Sequence, residues 1–305
     1  MIYTVTLNPA VDYYIGLDNF QEERLNQVKT AYTLPGGKGI NVSKVLKNFS
    51  VESVCLGFVG GFTGEYIKKD LITNGIKEKF VEIKEPTRIN IKMKTENSET
   101  EVAGKSPDIS KIEFDRFFEN LKDIKEGDMI VLSGSVPKSL NEDIYIQIIK
   151  SLPKDIKVIV DTRGETLKKV LKEGIFLVKP NKDEIQEFFG EIYETDEEII
   201  KAGQKLRDMG SENVLISLGK DGSILITKDK VYRGNVPKGQ LISSVGAGDS
   251  MVAGFLYGLE KNEPIETAYK YGIASGSSTA FSEGLTTYEN MKNLLSQIKI
   301  KKCRG

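Results

Sequence analysis

The chain has 305 residues, room for one large α/β core, and its 43 Lys+Arg against 44 Asp+Glu leave a formal charge of −1. That balance excludes a global basic field of the kind that gathers nucleic acid or anionic lipid, so any anionic ligand is held by local groups. Histidine is absent, which removes Ser-His-Asp and Cys-His nucleophilic sites and histidine metal ligands, and leaves general-base work to a carboxylate, Lys, Tyr or Cys.

The N-terminal run Ile2-Tyr3-Thr4-Val5-Thr6-Leu7 alternates like a strand, without the basic and then apolar stretch of a leader, and no apolar run reaches membrane-spanning length. Cys55 and Cys303 have no CxxC partner, which argues against a disulfide framework or structural zinc. A cytoplasmic protein in a reducing compartment is expected, with neither nucleic acid nor membrane as partner. Residues 12–34 and 86–105 are polar and alternating, with Ile89, Ile91 and Met93 on one face and Asn90, Lys92 and Lys94 on the other. They predict a small β lid, although a plain antiparallel extension fits the pattern equally well.

Between the two lid segments, Leu34-Pro35-Gly36-Gly37-Lys38-Gly39-Ile40-Asn41-Val42 opens a helical pattern whose buried face is Val45, Leu46 and Phe49. It is not a Walker A loop, because Gly39 follows Lys38 where Ser or Thr is needed, and Gly57 to Gly64 misses the dinucleotide spacing, with Val at 59. From Met129 onward, apolar runs alternate with amphipathic stretches: 129–132 then 142–150, 158–160 then 165–171, 176–178 then 182–189. Continuous apolar strands between helices predict a parallel sheet covered on both faces. Such sheets bind ligands beyond the carboxyl ends of their strands, which directs attention to Ser133-Gly134-Ser135, Asp161, Lys179-Pro180-Asn181 and Ser217-Leu218-Gly219. Further on, Ser244-Val245-Gly246-Ala247-Gly248-Asp249-Ser250 runs into a helix of small apolar residues, leaving unpaired N–H groups suited to phosphate. An isolated Asp there would more commonly be an N-cap. The tail 299–305 is short and basic and reads as a frayed end.

Taken in order, Thr6-Leu7-Asn8-Pro9-Ala10-Val11-Asp12, Gly36-Gly37-Lys38-Gly39-Ile40-Asn41-Val42, Leu132-Ser133-Gly134-Ser135-Val136-Pro137, Lys179-Pro180-Asn181-Lys182-Asp183-Glu184, Ser217-Leu218-Gly219-Lys220-Asp221-Gly222 and Val245-Gly246-Ala247-Gly248-Asp249 resemble the ribokinase-like (PfkB) carbohydrate kinase family. The resemblance covers nearly the whole chain. It implies a single kinase domain over 1–305, a three-layer α/β/α core with a mainly parallel sheet and a small β lid, ATP and Mg²⁺, and a homodimer clasped through the lids. The first two motifs look most like the branch of 1-phosphofructokinases and tagatose-6-phosphate kinases. That likeness implies transfer of the γ-phosphoryl group of ATP to a phosphorylated ketohexose, with fructose 1-phosphate favoured over tagatose 6-phosphate and fructose 6-phosphate.

The same resemblance implies roles that physical chemistry can judge. Asp249 matches the family's base, with the N–H groups of Gly246, Ala247 and Gly248 stabilising charge on the transferring group. Asn181 and Glu184 match a pair that organises Mg²⁺, mostly through water. Lys179, Ser217, Gly219, Lys220 and Gly222 fall where the nucleotide is held, beside Gly248. Ser275, in a small-residue helix, is a candidate adenine neighbour, and helix packing explains it equally well. Asp12 resembles the acceptor of sugar hydroxyl protons, with Gly36, Gly37, Asn41 and Ser135 beside it. Arg88, one of only seven arginines, is the preferred ligand for the phosphate already on the sugar because a planar fork suits it, and Lys38 is the second candidate. A non-catalytic sugar-phosphate-binding regulator on the same scaffold is the reading from another class; the presence of both Asp249 and Glu184 weighs against it.

Overall fold

The computed structural model describes residues 1–303. Its strands are β1 Ile2–Thr6, β2 Ala10–Gly16, β3 Thr30–Gly36, β4 Ser53–Val59, β5 Lys77–Glu82, β6 Arg88–Lys94, β7 Glu99–Val102, β8 Met129–Ser133, β9 Lys157–Asp161, β10 Ile175–Val178, β11 Ser211–Ser217, β12 Ser223–Ile226, β13 Val231–Gly234 and β14 Ile300–Cys303. The helices are α1 Lys38–Asn48, α2 Gly61–Thr73, α3 Lys111–Leu121, α4 Ile144–Ser151, α5 Gly164–Leu171, α6 Lys182–Phe189, α7 Asp196–Asp208, α8 Ala247–Glu260, α9 Ile265–Ala280 and α10 Tyr288–Leu294.

Ten strands form one sheet in the order β14-β13-β12-β11-β10-β9-β8-β1-β4-β5. From β5 to β11 every neighbouring pair is parallel, and the β11 to β14 edge is antiparallel. Strands such as Met129–Ser133 are buried along their whole length because helices cover both faces. One apolar cluster joins the sheet to α3, α4, α5, α6 and α7 through Phe117, Ile144, Leu167, Ile185 and Ile199. A second joins the opposite face to α1, α8, α9 and α10 through Val45, Phe255, Ile273 and Met291. The expected three-layer α/β/α class is therefore present. The basic tail departs from expectation: Ile300–Cys303 pairs antiparallel with β13 as the edge strand, because Ile300 packs on the core while its lysines face water. Arg304 and Gly305 lie outside the described residues.

The lid is a separate four-stranded sheet, β3-β2-β6-β7. Its first strand starts at Ala10, two residues before the expected 12, and β6 starts at Arg88, two residues after the expected 86. The register sets Asp12 opposite Asn90 and Tyr13 opposite Ile91, so polar and apolar residues fall on opposite faces. Strand order reverses at β1, whose neighbours β4 and β8 lead outward in opposite directions. A crevice opens at such a switch point, beyond the carboxyl ends of the strands.

Candidate active site

Two helices begin at the crevice, and both need glycine to do so. At α1 the preceding Gly37 has φ 140°, and a Cβ there would lie 2.7 Å from Thr6 Cγ2. At α8 the preceding Gly246 has φ 76°; both angles are left-handed backbone that favours glycine. The facing helices bring Asn41 of α1 and Asp249 of α8 together, with Asn41 Nδ2 donating to Asp249 Oδ2 at 2.7 Å across 208 residues of sequence. Asp249 is only 7% exposed. Burial first, and the Asp161 charge second, push its carboxyl up to about 6, against the Asn41 hydrogen bond and the positive charges of Lys38 and Lys179. Such a carboxylate is mostly ionised at neutral pH yet far more basic than a free aspartate, as a proton acceptor needs to be.

Asp161, at the end of β9, ties the cationic part of the site together. Its Oδ1 accepts from Lys38 Nζ at 2.9 Å and its Oδ2 lies 3.4 Å from Lys179 Nζ. Burial works against its charge, but Lys179 and Lys38 overcome it and hold the carboxyl below the usual range. A Cβ on Gly248 would lie 3.2 Å from Lys179 Nζ, so the glycine gives the lysine room beside the α8 N-terminus. Lys38, expected as a second contact for the sugar's phosphate, is instead drawn into this cluster by Asp161.

Asn181 and Glu184 form a capping box on α6. Glu184 N donates to Asn181 Oδ1 at 2.7 Å and Asn181 N donates to Glu184 Oε2 at 2.9 Å. The Asn181 side-chain oxygen thus accepts from the first turn of α6. Asn181 fixes Glu184, whose other carboxylate oxygen has no hydrogen-bond partner among the described residues. Glu184 lines a cleft of about 610 Å³ together with Lys38, Gly134, Ser135 and Asp161. No cluster of three or more acidic, histidine or cysteine ligands exists among the described residues. A donor set of one or two carboxylates fits a hydrated hard cation such as Mg²⁺ that takes its remaining ligands from water and phosphate oxygens.

Ser217 N donates to Pro180 O at 3.1 Å, setting Ser217 beside Asn181. The chain then makes a single 3₁₀ turn over Gly219–Asp221, carrying exposed Lys220, and Gly222 follows at φ 97° into β12. Ser275 does not reach the crevice. It is wholly buried, and a Cβ on Gly254 would lie 2.3 Å from its Oγ, so it belongs to the seam where α8 and α9 pack. Exposed apolar side chains nearer the α8 N-terminus come from Val245, within the glycine motif, and from Leu241 and Ile242, which lie outside every motif.

On the lid side, Asp12 Oδ1 accepts from Asn90 Nδ2 at 2.8 Å, and burial raises its carboxyl above the usual range despite that bond. A Cβ on Gly36 would lie 2.6 Å from Asp12 Oδ2, so glycine is needed on the neighbouring strand. Arg88 is half-buried, with Nη2 donating to the Asn8 carbonyl at 3.2 Å and Nε buried without a partner. Burial lowers its pKa, and Asp12 and Glu101 oppose that. A larger depression of about 760 Å³ lies at the β13 and β14 edge beside Arg233, Lys238, Lys299 and Lys301, but Asp249, Asp161 and Glu184 do not line it.

Residues 5–291 match the model of the pfkB family carbohydrate kinases. The chain is 48% identical over 301 residues to a 1-phosphofructokinase of Bacillus subtilis, covering 98% of this chain and 99% of that one. It is 45% identical over 301 residues to a 1-phosphofructokinase of Borreliella burgdorferi, covering 98% of each. Among solved structures, phosphofructokinase-2 from Escherichia coli in complex with substrates and products superposes with a TM-score of 0.91 at 27% identity, covering 97% of this chain and 98% of that one.

Proposed function

This chain belongs to the pfkB family of carbohydrate kinases, and on that premise we propose that it is a 1-phosphofructokinase, converting fructose 1-phosphate and ATP to fructose 1,6-bisphosphate and ADP. The observation that carries the chemistry is the pair of buried Asp249 and half-buried Asn41 at the mouth of α8, 2.7 Å apart. The choice of sugar rests on the two full-length relatives of that name, at 45% and 48% identity.

In this reading Asp249 accepts the proton of the attacking sugar hydroxyl while that oxygen bonds to the γ-phosphorus and ADP leaves. Asn41 orients the carboxylate, and burial gives it the basicity to take the proton. The N–H groups of Gly246, Gly248 and Asp249, with Lys38 and Lys179, face the negative charge that spreads over the transferring group, whereas the Ala247 N–H, expected among them, donates to Ser244 O at 3.2 Å. Asp161 holds both lysines in place and limits their freedom to swing toward solvent. Glu184, with Asp161 nearby, would hold Mg²⁺ mainly through water, and the ion neutralises phosphate charge when bound. Ser217, Gly219, Lys220 and Gly222 bound the nucleotide end, where Leu241 and Ile242 offer apolar surface to adenine. Asp12, with Gly36, Gly37 and Asn41 around it, takes the sugar hydroxyls, and Arg88, linked to Ser135 through Asn8, takes the existing phosphate.

We also propose that two copies meet through the lids. Tyr13, Ile91 and Val102 are exposed and line up across three lid strands, on the face opposite Asp12 and Arg88. An exposed apolar row of this kind calls for a partner of the same chemistry, which a second lid supplies.

Coupled detection of ADP decides the function. The highest kcat/KM is expected with fructose 1-phosphate, lower values with tagatose 6-phosphate and fructose 6-phosphate, and almost no ADP without sugar. A higher value for tagatose 6-phosphate would reassign the substrate, and no ADP release with any phosphosugar would leave only the non-catalytic regulator.

A further inference from the structure

Asn8 has no part in the chemistry above, yet it is the point where the core and the lid are joined. It follows β1 at the switch point and is 6% exposed. Its Nδ2 donates to Ser106 Oγ at 2.8 Å, on the segment returning from β7, and to Ser135 Oγ at 3.1 Å, beyond β8. Its main-chain carbonyl accepts Arg88 Nη2 from the first residue of β6 at 3.2 Å. One residue thus fixes three groups from three separate segments.

The direction of these bonds matters more than their number. A primary amide nitrogen has two protons, and here each goes to one serine oxygen, while Asn8 Oδ1, also buried, accepts from none of the described residues. A hydroxyl that accepts from Asn8 still has its own proton to give, and neither Ser106 Oγ nor Ser135 Oγ donates to any acceptor among the described residues. Ser135 is exposed and lines the cleft. Arg88 likewise holds donors in reserve, including the partnerless Nε. A phosphomonoester is rich in acceptors and bears charge on them, so donors alone suit it, whereas a neutral hydroxymethyl group both gives and takes protons.

Resting on the reading of Arg88 as the ligand of the sugar's existing phosphate, we propose that Asn8 is a positioning residue that sets the polarity of that pocket. By spending its amide protons on Ser106 and Ser135, it turns both hydroxyl protons, together with the Arg88 fork, toward a phosphomonoester.

The test compares two substitutions. Asn8→Asp keeps the shape but reverses the polarity: a carboxylate takes the serine protons and competes for Arg88. Asn8→Ala removes the amide and leaves the serines unconstrained. The KM for fructose 1-phosphate is expected to rise about 100-fold in the Asp variant, two charge-assisted hydrogen bonds at about tenfold each, and about tenfold in the Ala variant. The kcat and the KM for ATP should stay within about twofold of wild type in both. A packing role predicts the opposite order, since the isosteric Asp would then be the milder change. An Asp variant equal to or milder than Ala, or losses shared equally with ATP, overturns the inference. Should the Asp variant not fold, Asn8→Ala combined with Ser106→Ala and Ser135→Ala decides: less than about twofold added to the serine pair supports the inference, and full additivity overturns it. Wild-type turnover on the panel of phosphosugars is measured first. If none is turned over, the functional reading has failed; if they are, and the variants behave otherwise, only the role of Asn8 has.

Discussion

Asp249→Asn separates the cost of a buried carboxylate from its use. The substitution keeps the shape and the partner Asn41 but accepts no proton, so kcat should fall by roughly 10²–10⁴-fold, the range for a positioned base, with ATP binding little changed. The fold should respond in the opposite sense. In the folded chain the carboxyl lies at about 6 against an ordinary value of 3.8. A carboxyl with a raised pKa holds its proton in the fold after the unfolded chain has lost it, so ionisation subtracts from stability as pH climbs between those values, and the full loss is present above the upper one. About two units correspond to about 3 kcal/mol. The Asn variant is relieved of that loss at pH 8 and of almost none at pH 4.

At roughly 2 cal/mol/K of unfolding entropy per residue, the gain is a rise in Tm of about 5 °C at pH 8. Thermal unfolding of both proteins from pH 5 to pH 8, with kcat on the same preparations, reads the two effects together. The gap in Tm should narrow as pH falls through 6. The wild-type rate should also decline on that acid side, as Asp249 takes up its proton. A variant that loses activity but gains no stability at pH 8 would mean that the carboxylate is well solvated or better paired than Asn41 alone makes it. A variant with near-normal kcat would reduce Asp249 to the first turn of α8.

Three further outcomes are expected. Glu184→Gln keeps an oxygen for the Asn181 N–H, so the α6 cap and the Tm should persist, while half-saturation by Mg²⁺ moves up on the order of tenfold; an unchanged Mg²⁺ titration removes Glu184 from the metal's surroundings. Arg88→Met retains the apolar stem but deletes the fork, so kcat/KM for fructose 1-phosphate should fall by roughly 10–150-fold with the KM for ATP unmoved, and a parallel loss for ATP would assign Arg88 to the lid's fold instead. Ile91→Asp sets a charge in the apolar row with Tyr13 and Val102, and sedimentation is expected to show a dimer for the wild type and a monomer for the variant; a wild-type monomer overturns the lid dimer, and a dimer in both moves the interface elsewhere.

What the sequence makes legible is what repeats or caps. Short β-branched apolar runs between helical patterns, such as Val158–Val160, read as strands buried on both faces, and α6 falls on 182–189 as the pattern predicts. The glycines before α1 and α8 mark backbone that other residues rarely adopt. Asn181 and Glu184 stand three apart, so their capping box is local and readable. Asp161 is different: its position at the end of a strand is visible, but its meaning comes from Lys38, 123 residues away, and from Lys179. Ser275 misleads because small residues in a helix serve close helix packing and ligand contact alike, and only the Gly254 contact chooses. Asn8 shows the limit most clearly. Its place in a motif says that it matters, yet an amide reads the same in sequence whether it gives protons or takes them. Its partners, Ser106 and Ser135 on the amide and Arg88 on the main-chain carbonyl, arrive from elements that become neighbours only when β1 lies between β4 and β8 and the lid folds over it. Hydrogen-bond polarity is thus a property of the assembled fold rather than of any single residue type.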